Sequence, residues 1–368
     1  LLKRKKLISV NLSKHFCFRP WTEIYSHFES YGPCCVNYKL YQGDIASYSS
    51  SQELKTIKRE FLNGEKPVSC NECWKTEAAG VKSIRQRDTI KSKNLQRLSI
   101  SLSNKCNFKC RMCNPEDSSA WALDSEACKV LDMKPLAETS NTRNIDYIIQ
   151  LCRTKKITLS VLGGEPLITD EYIYLLEQID KYDLYENIYL SLTTNLSKLS
   201  YKGVNHLDEW DKFTNIDVYA SFDGVGKVGE YIRQGYIHDK FCKNLQLSNK
   251  YVKYLATTIQ IYNIFDLPNI FSFSKEYNIP IDFNFLVYPT QLSLGNLSLS
   301  DRNLVLEYYK SVNFYNEEIF NVLTSSTFLN TKSKFIDYTN SIDRLWKKSY
   351  KEYLPELSRL FDNQDRYN

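Results

Sequence analysis

The sequence predicts an α/β protein whose core is a partial barrel of six parallel βα units. Two observations support this prediction: apolar residues alternate with polar ones in six short segments, and helix-like segments lie between or after them. The first segment contains Leu98, Ile100 and Leu102, separated by serines. Six units are too few for the eight-fold closed barrel, so we expect an open one.

The remaining strands follow in order along the chain. Alternating residues at 157–161, 188–192 and 216–220 end at the sequences GG, TTN and SFDG, and further candidates are 255–262 and 281–287. Helices are expected at 170–181 and 303–313. Strands that alternate with helices are typical of parallel sheets.

The chain divides into three predicted parts. Residues 1–95 hold five cysteines, turn-rich stretches and one helical piece near 51–63, which indicates a small domain that depends on bound metal. Residues 96–295 form the partial barrel. Residues 296–368 are expected to be a polar, helical C-terminal extension without a recognisable motif.

Composition indicates an ordinary globular protein. Apolar residues make up 42% and charged residues 25%, and the net charge of +5 does not indicate nucleic acid binding. No apolar run approaches the roughly 20 residues that span a bilayer. The basic N-terminal segment lacks the apolar core of a secretory signal, so a cytoplasmic location without membrane contact is expected.

Eleven cysteines are unusual for such a chain. Their number is odd and no export signal accompanies them, which favours metal binding over disulfides. Eight lie between Cys17 and Cys113 in close groups, whereas Cys128, Cys152 and Cys242 are scattered and are interpreted as small buried hydrophobic residues.

Three cysteines follow the first predicted strand directly. Cys106, Cys110 and Cys113 have the spacing Cys-x₃-Cys-x₂-Cys in the sequence SNKCNFKCRMCNP. Three thiolates on one short loop suit three irons of a [4Fe–4S] cubane and leave the fourth iron free to bind a substrate or cofactor. The alternative is a three-cysteine zinc site completed by a remote His or Cys.

The segment CNFKCRMC resembles the signature of the radical S-adenosylmethionine (SAM) superfamily. This resemblance implies a TIM-like radical SAM barrel, and SAM bound to the open iron of the Cys106, Cys110 and Cys113 cluster. Reductive cleavage of SAM would then give a 5′-deoxyadenosyl radical that abstracts hydrogen from a substrate. Phe108 holds the position of an aromatic residue that shields the cluster and packs near the adenine.

The sequence GGEP ends the second predicted strand. Gly163 and Gly164 allow the backbone to approach a ligand, and the Glu165 carboxylate can accept hydrogen bonds from an ammonium group. The resemblance assigns these residues to the SAM amino group. Taken alone, the same four residues also suit an ordinary turn.

Further polar residues lie at the ends of later strands. The resemblance implies that these groups contact the SAM ribose, carboxylate or adenosine, with Arg233 as a salt-bridge partner of the carboxylate; the alternative is a solvated loop residue in each case. The residues are Asn195, Ser221, Asp223, Arg233 and Asn263.

A second cysteine group precedes the barrel. Cys17, Cys70, Cys73 and one of Cys34 or Cys35 would saturate a [4Fe–4S] cluster or a structural zinc ion, and the residues alone do not separate the two. The order FCxxPW, PCC, CxxCW and CNFKCRMC resembles phage-type radical SAM proteins with a twitch or SPASM domain. That resemblance implies an auxiliary cluster and favours Cys34, although Gly32 lies closer to the cysteine pair than in relatives.

The resulting expectation is an enzyme that modifies a peptide or protein side chain by hydrogen abstraction. A flavodoxin- or ferredoxin-type protein would supply the electron. The alternatives are a radical SAM enzyme acting on a sugar, nucleoside or deazapurine precursor, and a non-catalytic iron–sulfur or zinc binding module.

Overall fold

The computed structural model describes residues 13–78, 80–325 and 332–362. Its central element is a nine-stranded sheet, and four further short strands form two small ladders. The strands are β1 (Glu23–His27), β2 (Ser30–Gly32), β3 (Tyr41–Gln42), β4 (Arg97–Ser101), β5 (Lys109–Cys110), β6 (Ile157–Leu162), β7 (Ile188–Thr194), β8 (Ser200–Tyr201), β9 (Val204–Asn205), β10 (Asn215–Ser221), β11 (Arg233–Gln234), β12 (Val252–Ile259) and β13 (Ile281–Phe285).

Helices precede, connect and follow these strands. Those of the first 95 residues are α1 (Arg19–Thr22), α2 (Ile45–Tyr48), α3 (Gln52–Leu62), α4 (Asn71–Ala78) and α5 (Ile84–Arg87). Those between β4 and β13 are α6 (Ser119–Ala122), α7 (Ser125–Val130), α8 (Thr142–Cys152), α9 (Asp170–Lys181), α10 (His206–Trp210), α11 (Lys227–Ile232), α12 (His238–Leu247) and α13 (Leu267–Tyr277). The C-terminal helices are α14 (Leu299–Ser311), α15 (Glu317–Thr324), α16 (Lys332–Trp346), α17 (Tyr350–Tyr353) and α18 (Pro355–Asp362).

All six predicted strands are present, in the predicted order and parallel. They are β4, β6, β7, β10, β12 and β13, each hydrogen-bonded to the next. Ile157, Leu159 and Val161 are buried, as their alternation predicts. Helix α9 begins and ends where the sequence places it, because the Thr169 hydroxyl caps it by accepting from the Tyr172 N–H. The α/β class with a mostly parallel sheet is thereby confirmed.

The N-terminal segment contributes to the same sheet. Strand β1 pairs with β4 in parallel, with Glu23 opposite Arg97, and β2 and β3 extend the sheet in antiparallel fashion. Ile24, Tyr31 and Tyr48 are buried in the main core. Strands on both sides of the predicted boundary at residue 95 therefore belong to one continuous sheet, because β1 precedes this boundary and forms hydrogen bonds with β4, which follows it.

A separate, smaller apolar cluster lies in the N-terminal segment. Its buried members are Phe16, Cys17, Ile57 and Phe61, from the segment before α1 and from α3. This cluster is small, which agrees with the scarcity of apolar residues there. Among the described residues, no helix has the length and hydropathy needed to cross a membrane.

Candidate functional site

The predicted cysteine trio lies at the carboxyl edge of the parallel sheet. We call residues 102–118, between β4 and α6, the cysteine loop. Its three cysteines line a cavity of about 260 Å³ at the ends of β4, β6, β7 and β10, here named the first cavity. The lining residues are Cys106, Phe108, Cys110, Met112, Cys113, Asp117, Leu162, Gly163, Gly164, Glu165, Thr193, Thr194, Asn195, Ser221 and Arg233. Ligand sites of parallel α/β folds lie at this edge.

Local hydrogen bonds shape the cysteine loop. The Cys106 N–H donates to the Ser119 hydroxyl at 3.1 Å, and the Ser118 hydroxyl donates to the Phe108 carbonyl at 2.7 Å. Phe108 is only 3% exposed, and a Cβ atom at Gly235 would lie 2.9 Å from its ring. The aromatic residue is thus packed against backbone at one wall of the cavity, which suits the shielding role expected for it.

The GGEP segment lies against the cysteine loop. Gly163 has φ +130°, and a Cβ atom there would lie 2.5 Å from the Ser103 carbonyl oxygen. The Gly164 and Glu165 N–H groups donate to the carbonyls of Ser103 and Lys105, both at 2.8 Å. The two glycines therefore allow close approach to the backbone of the cysteine loop, in addition to lining the cavity.

Glu165 is a buried carboxylate with a defined set of donors. Its Oε1 accepts from the Thr194 hydroxyl at 2.6 Å and the Leu167 N–H at 3.1 Å, and its Oε2 accepts from the Asn195 N–H at 2.6 Å. A carboxylate offers about four acceptor positions, so one position on Oε2 is left. Burial raises the pKa of Glu165 to about 7, although these hydrogen bonds oppose the shift.

Arg233 joins the cysteine loop to the fourth barrel strand. Strand β11 pairs with β5, which places Arg233 opposite Cys110. The Arg233 Nε and Nη2 lie 2.7 and 2.6 Å from Asp223 Oδ2, and Nη1 lies 3.7 Å from Cys110 Sγ. Arg233 lines the first cavity, whereas Asp223 does not. The Asp223 carboxylate instead orients the Arg233 guanidinium.

The other predicted SAM residues differ in position. Ser221 lines the cavity, and so does Asn195, whose amide donates to Asn107 Oδ1 at 3.0 Å and so contacts the cysteine loop. Asn263 is fully buried outside the lining, and its amide donates to the carbonyls of Asp223 and Thr258. It therefore supports the turn that carries Asp223 instead of facing the cavity.

Sequence reasoning missed several lining or supporting residues. Thr194 binds Glu165, and Met112 and Asp117 line the cavity. Thr194 is the last residue of β7 and directly precedes Asn195, so its position in the sequence identifies it as a candidate. Met112 and Asp117 carried no comparable signal, because their side-chain directions depend on the path of the loop.

The three thiols lie in surroundings that disfavour bare thiolates. Burial raises the pKa of Cys106 to about 12 and that of Cys110 to about 11, and it also raises the pKa of Cys113. Arg233 opposes the shift at Cys110. Thiolates in such a site need a bound cation, and an iron–sulfur cluster supplies one. The donor set, the cavity and the free acceptor on Glu165 together fit a cluster with SAM.

The N-terminal cysteines also share one location. Cys17, Cys34, Cys70 and Cys73 line a common small cavity, whereas Cys35 is exposed and does not line it. The Asn37 amide donates to Cys70 Sγ at 3.6 Å. We refer to these four lining residues as the N-terminal cysteines.

The N-terminal cysteines lie at the opposite end of β1 from the first cavity. Cys17 precedes α1 and β1, and the antiparallel pairing of β2 with β1 brings Cys34 back toward Glu23. The first cavity instead lies at the carboxyl ends of the strands parallel to β1. The two cysteine groups are therefore separated by at least the length of a five-residue strand, roughly 13 Å.

A buried ion network lies beside the N-terminal cysteines. Arg19 lines their cavity and pairs with Glu23 at 2.6 Å and with Asp88 at 3.0 Å. Arg97 of β4 also contacts Glu23, at 3.2 Å, and the Ser99 hydroxyl donates to Glu23 at 2.9 Å. This network connects the N-terminal segment to the first barrel strand.

The two cysteine groups differ from a site built around one metal ion in how their ligands would bind. Within the described ranges, no three or more His, Cys, Asp or Glu side chains are grouped so that they could hold one metal ion. Cysteines on one zinc ion must all reach it at about 2.3 Å, whereas those on a cubane each bind a different iron.

One protein-family model matches part of the chain. The family model of the Radical SAM superfamily matches residues 100–269, which include the cysteine loop, GGEP and Arg233. Residues 100–269 thus match a radical SAM domain, as the motif predicts. The relatives named below are enzymes, and the radical SAM family implies a [4Fe–4S] cluster and SAM as cofactors.

Individual relatives cover parts of the chain. The GTP 3′,8-cyclase of Aliarcobacter butzleri is 29% identical over 108 residues, 28% of this chain and 29% of that protein. The radical SAM cyclopropyl synthase TigE of Paramaledivibacter caminithermalis is 24% identical over 317 residues, 82% of this chain and 63% of TigE. The chain therefore spans less than two thirds of both relatives.

Solved structures overlap only partly with this one. Streptococcus suis SuiB bound to the precursor peptide SuiA is 16% identical, with a TM-score of 0.42. The overlap covers 75% of this chain and 55% of SuiB.

Proposed function

We propose that this protein is a radical SAM enzyme that cleaves SAM reductively and uses the product to abstract hydrogen from a polypeptide side chain. When bound, a [4Fe–4S] cluster with SAM supplies a 5′-deoxyadenosyl radical from one electron. Cys106, Cys110 and Cys113 would hold that cluster.

One observation carries this proposal. The three cysteines, the GGEP backbone, Glu165 and Arg233 surround a single cavity at the carboxyl edge of a parallel sheet. These residues come from three separate segments, namely the cysteine loop, the end of β6 and β11, and only the fold brings them together. A module that only binds a metal cluster requires the three thiols, but it does not require a buried carboxylate and a guanidinium beside them.

Each polar group has a defined task in this proposal. The ionised Glu165 accepts a hydrogen bond from the SAM ammonium through its remaining Oε2 position, held in place by Thr194 and Asn195. Arg233, fixed by Asp223, presents Nη1 toward Cys110 and the cavity, where it favours a carboxylate of SAM.

The N-terminal cysteines are assigned to an auxiliary [4Fe–4S] cluster, with Cys34 and not Cys35 as the fourth ligand. Support comes from the cavity that the four residues share and from the exposure of Cys35. Four thiolates leave no iron open to SAM. The location at the far end of β1 suits structural support and electron transfer, with a flavodoxin- or ferredoxin-type donor as the source.

A second cavity next to the first one favours a long substrate. It measures about 480 Å³ and includes His27, Glu29 and Ser140 among its lining residues. The His27 Nε2 lies 2.8 Å from Oδ1 of Asp117, a residue that lines the first cavity. An extended polypeptide advances about 3.3 Å per residue and suits two neighbouring cavities better than a compact metabolite does.

A nucleotide or other small molecule is the second candidate substrate. It is favoured by the sequence similarity to GTP 3′,8-cyclases, which act on GTP by name. The similarity covers only parts of those proteins. GTP therefore belongs among the compounds to be tested.

The test is anaerobic reconstitution of the full chain with iron and sulfide, then SAM and dithionite. We expect about eight irons per chain and about half of that after Cys106, Cys110 and Cys113 are all replaced by Ala. Mass spectrometry then follows 5′-deoxyadenosine together with co-purified peptides or added GTP. Stoichiometric zinc without absorbance near 400 nm would contradict the two-cluster proposal.

A further inference from the structure

The cysteine loop contains a buried cation. Arg111 lies between the second and third cysteines and its side chain is fully buried. Its Nη2 donates to Asp343 Oδ1 at 2.6 Å, and its Nε donates to the Tyr231 carbonyl at 2.9 Å. The guanidinium also lies 3.7 Å from the centre of the Tyr231 ring. Such a cation needs a partner charge, because an unpaired charge in the interior is strongly unfavourable.

The partner charge comes from the C-terminal helix α16. Asp343 accepts a second hydrogen bond on Oδ1, from the Tyr231 hydroxyl at 2.9 Å, and its Oδ2 accepts from the Tyr350 N–H at 2.7 Å. Its carboxylate is therefore fixed from several sides. The pair joins residues 232 positions apart in the sequence.

Helix α16 contacts the cysteine loop directly at one further point and reaches it through Asp124 at another. The Tyr338 hydroxyl donates to the Arg111 carbonyl at 2.5 Å. The Trp346 indole donates to Asp124 at 3.1 Å, and Asp124 also pairs with Lys109 at 2.7 Å. Positions 109 and 111 flank Cys110. Helix α16 therefore restrains the backbone at Arg111 directly and the side chain of Lys109 through Asp124.

We infer that α16 positions the cysteine loop for cluster binding and that Asp343 neutralises Arg111 beside the cluster. Asp343, Tyr338 and Trp346 are positioning residues, and they lie outside the segment matched by the family model. The inference rests on the proposed function, since it needs the cysteine trio to hold a cluster. It gives the C-terminal extension a role in setting the reduction potential of that cluster.

Charge provides a direct test, because a cluster with an uncompensated cation nearby is easier to reduce. Asp343→Asn leaves the Arg111 charge unpaired and should shift the midpoint potential upward. Arg111→Gln should shift it downward, and the double variant should return close to the parent value. Asp337→Asn is the matched control, since it removes the same charge from an exposed position on the same helix.

A second measurement uses iron-free protein and does not depend on activity. Loosening the loop should increase the alkylation rate of Cys110 and Cys113 several-fold in Asp343→Asn and in Tyr338→Phe. Cys152 is buried in α8, away from the loop, and its alkylation rate should not change. Tyr338→Phe removes only one hydroxyl group, so it still tests the role of α16 if the charge variants do not fold.

The outcomes separate the two proposals. A parent protein that binds no cluster on the trio refutes the proposed function. The other outcome is a parent protein that binds the cluster, while Asp343→Asn and Tyr338→Phe have the same midpoint potential and alkylation rates as Asp337→Asn. That outcome refutes only the role of α16.

Discussion

Arg233 lies beside Cys110 of the cysteine loop and lines the first cavity. Its Nη1 lies 3.7 Å from the Cys110 sulfur, and the two residues are paired across the short β5–β11 ladder. The opposite side of the guanidinium is held by Asp223. One side chain therefore restrains a cysteine and presents a positive charge to the first cavity.

Removal of the Arg233 charge should destabilise the protein even without iron. Arg233→Met leaves the carboxylate of Asp223, which is fully buried, without its partner. Breaking a buried pair in this way costs about 3–5 kcal/mol of unfolding free energy. Urea unfolding of the iron-free protein measures the loss. Arg143→Met is the control, because that side chain is 92% exposed and its loss should cost about 0.5 kcal/mol or less. Equal stabilities of the two variants would contradict the pairing.

Glu165→Gln should weaken SAM binding without loss of iron. The amide keeps the shape of the side chain but removes the charge that attracts an ammonium group. A hydrogen bond to a charged group contributes roughly 1.5–3 kcal/mol, which corresponds to about a 10- to 150-fold change in the dissociation constant. Anaerobic titration with SAM measures that constant. A change of less than twofold would show that the GGEP assignment is wrong.

The same carboxylate predicts how SAM affinity depends on pH. The pKa of Glu165 lies at about 7 because the group is buried, so the carboxyl becomes protonated as the pH falls below that value. Only the ionised form attracts the SAM ammonium. Affinity should therefore decrease from pH 7.5 to pH 5.5 in the parent protein. In Glu165→Gln the decrease should disappear, and an equal decrease in both proteins would assign it to another group.

Substitutions of the adjacent residues Cys34 and Cys35 provide a matched pair of variants that tests the proposed auxiliary cluster site. Cys34 lines the cavity of the N-terminal cysteines and Cys35 does not. Cys34→Ala should therefore lose about half of the iron, whereas Cys35→Ala should keep all of it. Iron analysis after reconstitution measures this. The opposite pattern would assign the ligand to Cys35, and no loss in either variant would argue against an auxiliary cluster.

Loss of the auxiliary site should affect the N-terminal segment more than the barrel. Cys70→Ala combined with Cys73→Ala removes two ligands near the small apolar cluster around Phe16 and Phe61. Metal binding contributes folding free energy, so trypsin should cleave between residues 13 and 95 faster than in the parent. Some 5′-deoxyadenosine should still form. Its complete loss from a folded double variant that keeps the other cluster would mean that electrons pass only through the auxiliary site.

The barrel strands were predictable because their signal is local. Alternation of apolar residues marked β4, β6 and β7, and the polar ends of these strands marked Glu165 and Asn195. Parallel topology then placed those ends at one edge of the sheet. Local pattern and long-range arrangement agree in this part of the chain.

Features that depend on distant partners were not predictable. Strand β1 is five residues long and is stabilised by pairing with β4, more than 70 residues further on. Arg111 was not singled out in the motif because its partner Asp343 lies in a helix without a recognisable pattern. The contact predicted between Asn263 and the SAM adenosine stays a prediction, and the direction of its side chain is set by the tight turn in which its amide donates to the carbonyls of Asp223 and Thr258.

Formation of 5′-deoxyadenosine tests the central claim most directly. Reconstituted protein with SAM and dithionite should release 5′-deoxyadenosine and methionine in equal amounts. Replacement of Cys106, Cys110 or Cys113 by Ala should abolish both products, whereas Cys128→Ala, a buried cysteine outside both groups, should not. Full iron incorporation without any 5′-deoxyadenosine would contradict the account.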